Sequence, residues 1–334
     1  MKWRQCGDSD LKLPLLGVGA WSFGGSSEDY WGEQSQRDAE AVVARAIDLD
    51  CAYFDTAEGY NDGRSESALG NLLRGRRDRV LIGAKISPSH ARPETLRRHC
   101  EASLARLQTD YIDVYMVHWP MPSEVVAEAF AALGSLRDEG KIRYLGISNF
   151  GVQQMSEALA AGADFVVNQL GYNLFFRAPE REIMPFCQAR GIGIIGYMPI
   201  LQGILVGKYG SPAEVPPARA RTRHFSSSRA GVRHGEAGAE AEVFAALGQL
   251  RELSKETGLP MADLALAWCA AQPAITCVLA GARNAGQLEA NARGVAVALP
   301  PAVRERLAAL SAPLADALGP NPDMWQSTAD SRIR

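Results

Sequence analysis

The stretch Leu16-Gly17-Val18-Gly19-Ala20-Trp21-Ser22 is the first part of the chain that reads as a buried strand running into a loop, and it decides between two folds. A doubly wound dinucleotide-binding sheet carries G-x-G-x-x-G straight after its first strand, so that backbone can approach a pyrophosphate at a helix N-terminus. Here the third glycine position holds Ser22. No phosphate loop of the form G-x-x-x-x-G-K-[ST] occurs elsewhere either.

Outward from that stretch, short apolar runs at 16–19, 53–55, 80–86, 112–118, 144–148, 165–169, 192–197 and 276–280 read as strands. Amphipathic patterns at 37–49, 66–74, 93–107, 123–138, 153–160, 180–190, 240–271 and 285–292 read as helices between and after them. Ser65, Arg92-Pro93-Glu94 and Ser123 are suitable helix starts. Strands that alternate with helices in this way form parallel βαβ units. Without a dinucleotide fingerprint, the expected fold is α/β: a (β/α)8 TIM barrel. A single domain spans 1–334, with its barrel core at about 16–293 and a C-terminal helix and tail at 294–334. Residues 2–6 and 12–16, split by Gly7-Asp8, read as an N-terminal β-hairpin that plugs the barrel bottom. Residues 209–239, rich in Gly, Pro, Ser and Arg, form a long loop after strand seven, either functional or a solvated charged excursion.

The 334 residues suggest two domains by length alone; the strand tally assigns the excess to the hairpin, the long loop and the tail. With 47% hydrophobic and 22% charged residues, the chain is neither disordered, fibrous nor coiled coil. Its net charge of −3 leaves no footprint for nucleic acid or an anionic membrane. The six cysteines form no C-x-x-C pair and do not approach the five histidines at zinc-ligand spacing, so no metal site is expected. Reduced, buried thiols in a cytoplasmic protein are the natural reading. No apolar run follows the first basic residues, which argues against a secretory signal. The nearly apolar run 191–207 is interrupted by Gly196, Pro199, Gln202 and Gly203, as a strand entering a loop would be, and does not suit a membrane helix. Neither a monomer nor a homo-oligomer is favoured.

In such a barrel, chemistry gathers at the carboxyl ends of the strands. There the chain places Asp55, Tyr60 in the loop beyond it, Lys85, His118, Ser148-Asn149, Asn168-Gln169 and Tyr197. Taken singly, the lysine could snorkel, the aspartate could cap a loop and the histidine could be structural. Four reactive types at successive strand ends favour a catalytic reading.

The run Phe54-Asp55-Thr56-Ala57-Glu58-Gly59-Tyr60, with Gly63-Arg64-Ser65-Glu66, resembles the signature of the aldo-keto reductase superfamily. Gly83-Ala84-Lys85, Val117-His118-Trp119-Pro120, Gly146-Ile147-Ser148-Asn149-Phe150, Asn168-Gln169 and the segment 203–209 follow in the family's order. The resemblance covers roughly 11–293 and implies reduction of a small carbonyl or sugar-like substrate by NADPH, with NAD as the second option. It implies that Tyr60 is the general acid, its pKa lowered by Lys85, with Asp55 as the lysine's paired charge. His118 would donate to or orient the carbonyl oxygen.

By the same matching, Ser148, Asn149 and Gln169 would hold the nicotinamide carboxamide, and Tyr197 would stack on the ring. Pro199, Leu201, Gln202, Gly203, Leu205 and Lys208 would follow the pyrophosphate, and Gly281, Arg283, Gln287 and Asn291 the adenine end. Two departures from the family pattern bear on this. Met198 stands where members often have serine, and Gly281-Ala282 stand where many have Lys-Ser, which leaves Arg283 as the 2′-phosphate partner. Trp21, Tyr30, Trp31, Trp119 and Phe225, with Trp325 from the tail, would line the substrate entrance. The competing readings are a cofactor-binding regulatory subunit of the same fold and an aldolase-type barrel with a Lys85 Schiff base. The intact set Asp55, Tyr60, Lys85 and His118 weighs against both.

Overall fold

Strands buried on both faces, as parallel strands wrapped by helices must be, build the wall of the molecule. The computed structural model of the chain describes residues 1–25 and 34–334. The strands are β1 (Trp3–Gln5), β2 (Lys12–Pro14), β3 (Leu16–Gly19), β4 (Tyr53–Asp55), β5 (Leu81–Ile86), β6 (Ile112–Val117), β7 (Ile142–Ser148), β8 (Val167–Gly171), β9 (Gly193–Tyr197) and β10 (Ile275–Gly281). β1 and β2 pair antiparallel, and β3 to β10 close into a parallel barrel in chain order, β10 returning to β3. The helices are α1 (Gln36–Asp48), α2 (Arg64–Leu72), α3 (Pro93–Leu107), α4 (Ser123–Asp138), α5 (Val152–Ala160), α6 (Ile183–Ala189), α7 (Glu240–Thr257), α8 (Met261–Ala270), α9 (Ala285–Ala296) and α10 (Pro301–Leu318). The expected (β/α)8 barrel is therefore present, with its hairpin.

Side-chain alternation along the strands sorts the barrel interior. Tyr53, Val114, Met116, Val167, Ile195, Cys277 and Leu279 meet inside it, and Cys6, Leu11 and Leu13 of the hairpin close the layer from below. Asp55, His118, Gln169 and Tyr197 stand two positions beyond Tyr53, Met116, Val167 and Ile195, so the period of two carries them to the same interior. The apolar plug is thus the floor of a polar chamber. The hairpin is latched through Arg4, whose guanidinium donates to the carbonyls of Ile275 (2.5 Å) and Ala270 (2.8 Å).

Several expected boundaries move for local reasons. Ser65 is not the cap of α2: Gly63, with φ of 80°, precedes the helix, and the buried Ser65 hydroxyl donates to the Ala20 carbonyl at 2.7 Å. Ser123 is the first residue of α4 and bonds Glu157, with Pro122 at the cap position. The 240–271 block splits where Gly258, at φ 68°, and Pro260 end one helix and begin the next. The long loop is built into the fold. Arg223, almost fully buried, reaches Glu236 (2.7 Å) and the carbonyls of Asn321 (3.1 Å) and Leu318 (2.6 Å), locking the loop to the tail. Among the described residues no helix is long and apolar enough to cross a membrane.

The floor is packed by glycines against one aromatic ring. A Cβ at Gly83 would stand 2.3 Å from the Tyr53 hydroxyl, and one at Gly17 would stand 2.7 Å from the same ring. Gly83→Ala is therefore expected to destabilise the protein by about 1–3 kcal/mol in urea denaturation. The Tyr53 hydroxyl is buried with no hydrogen-bond partner among the described residues. Tyr53→Phe should then be close to neutral alone and recover part of the loss in the double variant; an unaltered Gly83→Ala midpoint would mean that the floor is loose.

Candidate active site

The polar chamber above the floor begins with a buried ion pair. Lys85 is fully buried and Asp55 2% exposed, and the ammonium donates to Asp55 Oδ1 at 2.5 Å and to the Thr56 carbonyl at 2.9 Å. Gln169 donates from Nε2 to the second carboxylate oxygen at 2.7 Å, so both oxygens of Asp55 are held. The Tyr60 hydroxyl lies 3.4 Å from Lys85 Nζ, and the His118 ring stands edge-on to the Tyr60 ring with centroids 5.5 Å apart. The four residues named from the strand ends therefore converge at one point of the rim.

Their electrostatics follow from burial and differ from expectation at one of them. Burial holds the Tyr60 hydroxyl well above the ordinary phenol range, and the Asp55 charge adds to that rise. The rise comes from burial first, and the Lys85 ammonium, 3.4 Å away and also bonded to Asp55 and Thr56, does not overcome it. Tyr60 therefore keeps its proton, as a donor must. Burial draws Lys85 below the ordinary lysine range while Asp55 opposes the shift. Burial, and then the Lys85 charge, push His118 down to about 3, so its imidazole is neutral at neutral pH.

Next to these four lies a connected polar edge. Tyr197 donates its hydroxyl to Asn149 Oδ1 (2.8 Å), Asn149 Nδ2 donates to Ser148 Oγ (3.0 Å) and to the His118 carbonyl (3.0 Å), and Ser148 donates to the Gln169 carbonyl (3.1 Å). The backbone here is unusual. Asn149 (φ 63°), Met198 (φ 59°), Leu201 (φ 43°) and Gln202 (φ 53°) all occupy the left-handed region that non-glycine residues rarely enter. Gln202 and Gly203 (φ 92°) follow one another there, a conformation that turns successive amides toward one side, and the Lys208 ammonium lies 3.9 Å from the position of a Gly203 Cβ. Such a concavity with a cation at its edge suits a phosphate group. Pro199 and Leu205 stand on either side of this turn. Across the β9–β10 junction, Gly281 has open space at its Cβ position, Arg283 and Gln287 are exposed, and Asn291 donates to the Gly281 carbonyl at 3.1 Å. The donor set fits a phosphate-bearing nicotinamide dinucleotide.

Of the aromatics expected at the entrance, Trp21 stacks on Tyr60 with centroids 5.3 Å apart and is 38% exposed. Trp119 is half-buried beneath the Arg332 guanidinium, 3.5 Å from its ring centroid. Phe225 lies in the core instead, fully buried with Arg229 over its ring, because the long loop folds inward around Arg223. Tyr30 and Trp31 lie outside the described residues. The Asp323–Arg332 pair of the tail was not legible: Asp323 fixes Arg332 through 2.8 and 2.9 Å bonds, and no local motif marks it.

An aldo/keto reductase family model matches residues 15–312. The chain is 32% identical over 303 residues to Aldo-keto reductase YhdN of Bacillus subtilis, covering 87% of each protein. It is 30% identical over 315 residues to a probable voltage-gated potassium channel subunit beta of Arabidopsis thaliana, covering 89% of this chain and 92% of that one. An aldo-keto reductase from Klebsiella pneumoniae, solved in complex with NADPH, shares the fold at a TM-score of 0.71 and 26% identity, over 100% of this chain and 99% of that one.

Breaking the buried pair tests the foundation of this site. Asp55→Asn should cost about 3–5 kcal/mol in chemical denaturation, since it leaves the Lys85 ammonium without its counter-charge. Asp55→Leu with Lys85→Met should recover most of that stability, because no charge then stays buried. An Asp55→Asn variant as stable as the parent would show that the pair does not hold the site together.

Proposed function

The chain belongs to the aldo/keto reductase family, and from that premise we propose that it reduces an aldehyde or ketone to the alcohol with NADPH. The observation that carries this reading is the proton-bearing Tyr60 hydroxyl 3.4 Å from a lysine whose charge is locked to Asp55. Bound NADPH supplies the hydride. Tyr60 gives its proton to the carbonyl oxygen, and the Lys85 ammonium then lies close enough to stabilise the phenolate left behind. Asp55 and Gln169 hold Lys85 in place for this. A neutral His118 offers an N–H to the same oxygen without competing for the proton. Trp21, stacked on Tyr60, shields the reacting centre from water.

Ser148, Asn149 and Gln169 hold the carboxamide of the cofactor, Tyr197 takes its ring, and the left-handed turn at 201–203 with Lys208 takes the pyrophosphate. Arg283 accounts for a preference for the 2′-phosphate, with NADH as the weaker alternative. Trp21 and Trp119 would flank the substrate, a small carbonyl or sugar-like compound. All six cysteines are unpaired and buried, which fits a reducing, cytoplasmic setting. The likeness to the Arabidopsis channel subunit supports a second reading, a cofactor-binding regulatory subunit with little turnover. The converged quartet favours the enzyme.

A panel of aldehydes, ketones and sugars assayed with NADPH and with NADH separates these readings, since the regulatory subunit would bind cofactor and consume almost none. In the reductase, Tyr60→Phe should lower kcat by about 10²-fold or more while NADPH binding persists. Unchanged turnover would remove Tyr60 from its role. Arg283→Ala should weaken NADPH binding about tenfold and leave NADH binding within about twofold, as expected for one lost charge-assisted phosphate contact. Equal losses would take Arg283 out of the phosphate site.

A further inference from the structure

Away from the chamber, a carboxylate and two imidazoles meet in an arrangement that the reductase chemistry leaves unused. Glu58 sits in the loop between β4 and α2, His90 in the loop between β5 and α3, and His99 on α3. Glu58 Oε1 faces His90 Nδ1 at 2.8 Å and Oε2 faces His99 Nδ1 at 2.7 Å, and the two rings stack with centroids 3.9 Å apart. Ser87 N donates to Glu58 Oε1 at 2.8 Å, fixing the carboxylate. The Glu58 side chain is only 7% exposed, whereas those of His90 and His99 are 43% and 22% exposed, so the cluster has a wall and an opening.

We propose that Glu58, His90 and His99 form a binding site for a divalent transition-metal cation of the zinc class. The three ligand atoms lie within 4.8 Å of one another. A four-coordinate zinc ion about 2.0–2.1 Å from each donor needs donors about 3.3–3.4 Å apart, so the imidazoles must turn and draw in around Glu58, a change that the half-exposed His90 ring can make. The donor chemistry is selective. Two imidazoles and one carboxylate suit zinc, cobalt or nickel, whereas calcium and magnesium require oxygen ligands. Three protein ligands also leave a fourth position for water on the open side.

Proton balance favours the exchange. An imidazole whose proton sits on Nδ1 in its neutral form can carry it on Nε2 instead, the other tautomer, and so offer the Nδ1 lone pair to an ion. The cation then replaces two hydrogen bonds to one carboxylate without any group having to lose net charge. Glu66, the next buried acid along the chain, is paired with Arg106 at 2.6 Å. The zinc-spacing rule could not find the cluster, because its ligands stand at 58, 90 and 99 and are brought together only by neighbouring strands of the barrel. Glu58 N donates to the Lys85 carbonyl at 3.1 Å and Tyr60 is two residues further on, so a bound ion would tie the catalytic loop to α3.

The test uses full-length, untagged protein freed of metal by a chelator and titrated with Co²⁺, then Zn²⁺, with Mg²⁺ and Ca²⁺ as controls. One equivalent of Co²⁺ should bind with the visible absorption of a four-coordinate nitrogen–oxygen site, and Zn²⁺ should displace it and raise Tm. His90→Ala, on the exposed side, and Glu58→Gln, which keeps the side chain's shape, should each weaken binding tenfold or more. Far-UV circular dichroism of the metal-free variants would show that they remain folded. Absence of Co²⁺ binding, binding unchanged in both variants, or a sulfur-to-cobalt charge-transfer band would overturn the proposal; the last would assign the ion to a cysteine. The reductase reading stands or falls separately, because the titration requires no turnover.

Discussion

The site depends on an ammonium buried inside a β-barrel. Lys85 has no exposed surface, so its charge is tolerable only beside a counter-charge with further hydrogen bonds around it. Asp55 provides that charge, the Thr56 carbonyl takes a second bond, and Gln169 occupies the other carboxylate oxygen. These groups come from β4, β5 and β8, so the pair ties distant strands of the barrel to one geometry. Tyr60 is then placed by a loop over a lysine that cannot move, which is the preorganisation that proton transfer requires.

Much of this was legible because the barrel repeats one rule. An apolar run that ends in a polar residue, followed by a helix, marks a strand whose last inward position reaches the rim. That pattern located Asp55, Lys85 and His118 from sequence, and the period of two explains why they share an interior with the hydrophobic floor. Other features rested on contacts between distant residues and left no local mark. Ser65 looks like a helix cap but is drawn into a tertiary bond to Ala20. The arginine-rich loop reads either as functional or as a charged excursion, and nothing in it foretells that Arg223 is buried by carbonyls almost a hundred residues away. Phe225 goes into the core with it. The direction of the Tyr60 shift was also hidden, because it depends first on how completely the fold buries the hydroxyl.

Strain marks the part of the rim assigned to the cofactor. Asn149, Met198, Leu201 and Gln202 hold left-handed backbone without being glycine, at the ends of β7 and β9. Such conformations cost of order 1–3 kcal/mol each and persist only where surrounding contacts over-determine them. Here Asn149 is held by Ser148, Tyr197 and the His118 carbonyl, and Met198 by a bond from Asn173 to its carbonyl at 3.1 Å. The rim therefore joins a rigid charged pair on one side to a strained polar edge on the other, with Tyr60 and His118 between them.

The most direct test of hydride delivery to a carbonyl at this rim is isotopic. An aldehyde that is turned over would be incubated with NADPH carrying deuterium at the transferable C4 position of the nicotinamide, and the alcohol analysed by NMR. One deuterium on the carbinol carbon of each product molecule is the predicted result. Alcohol free of deuterium, or cofactor oxidised with no alcohol formed, would contradict it.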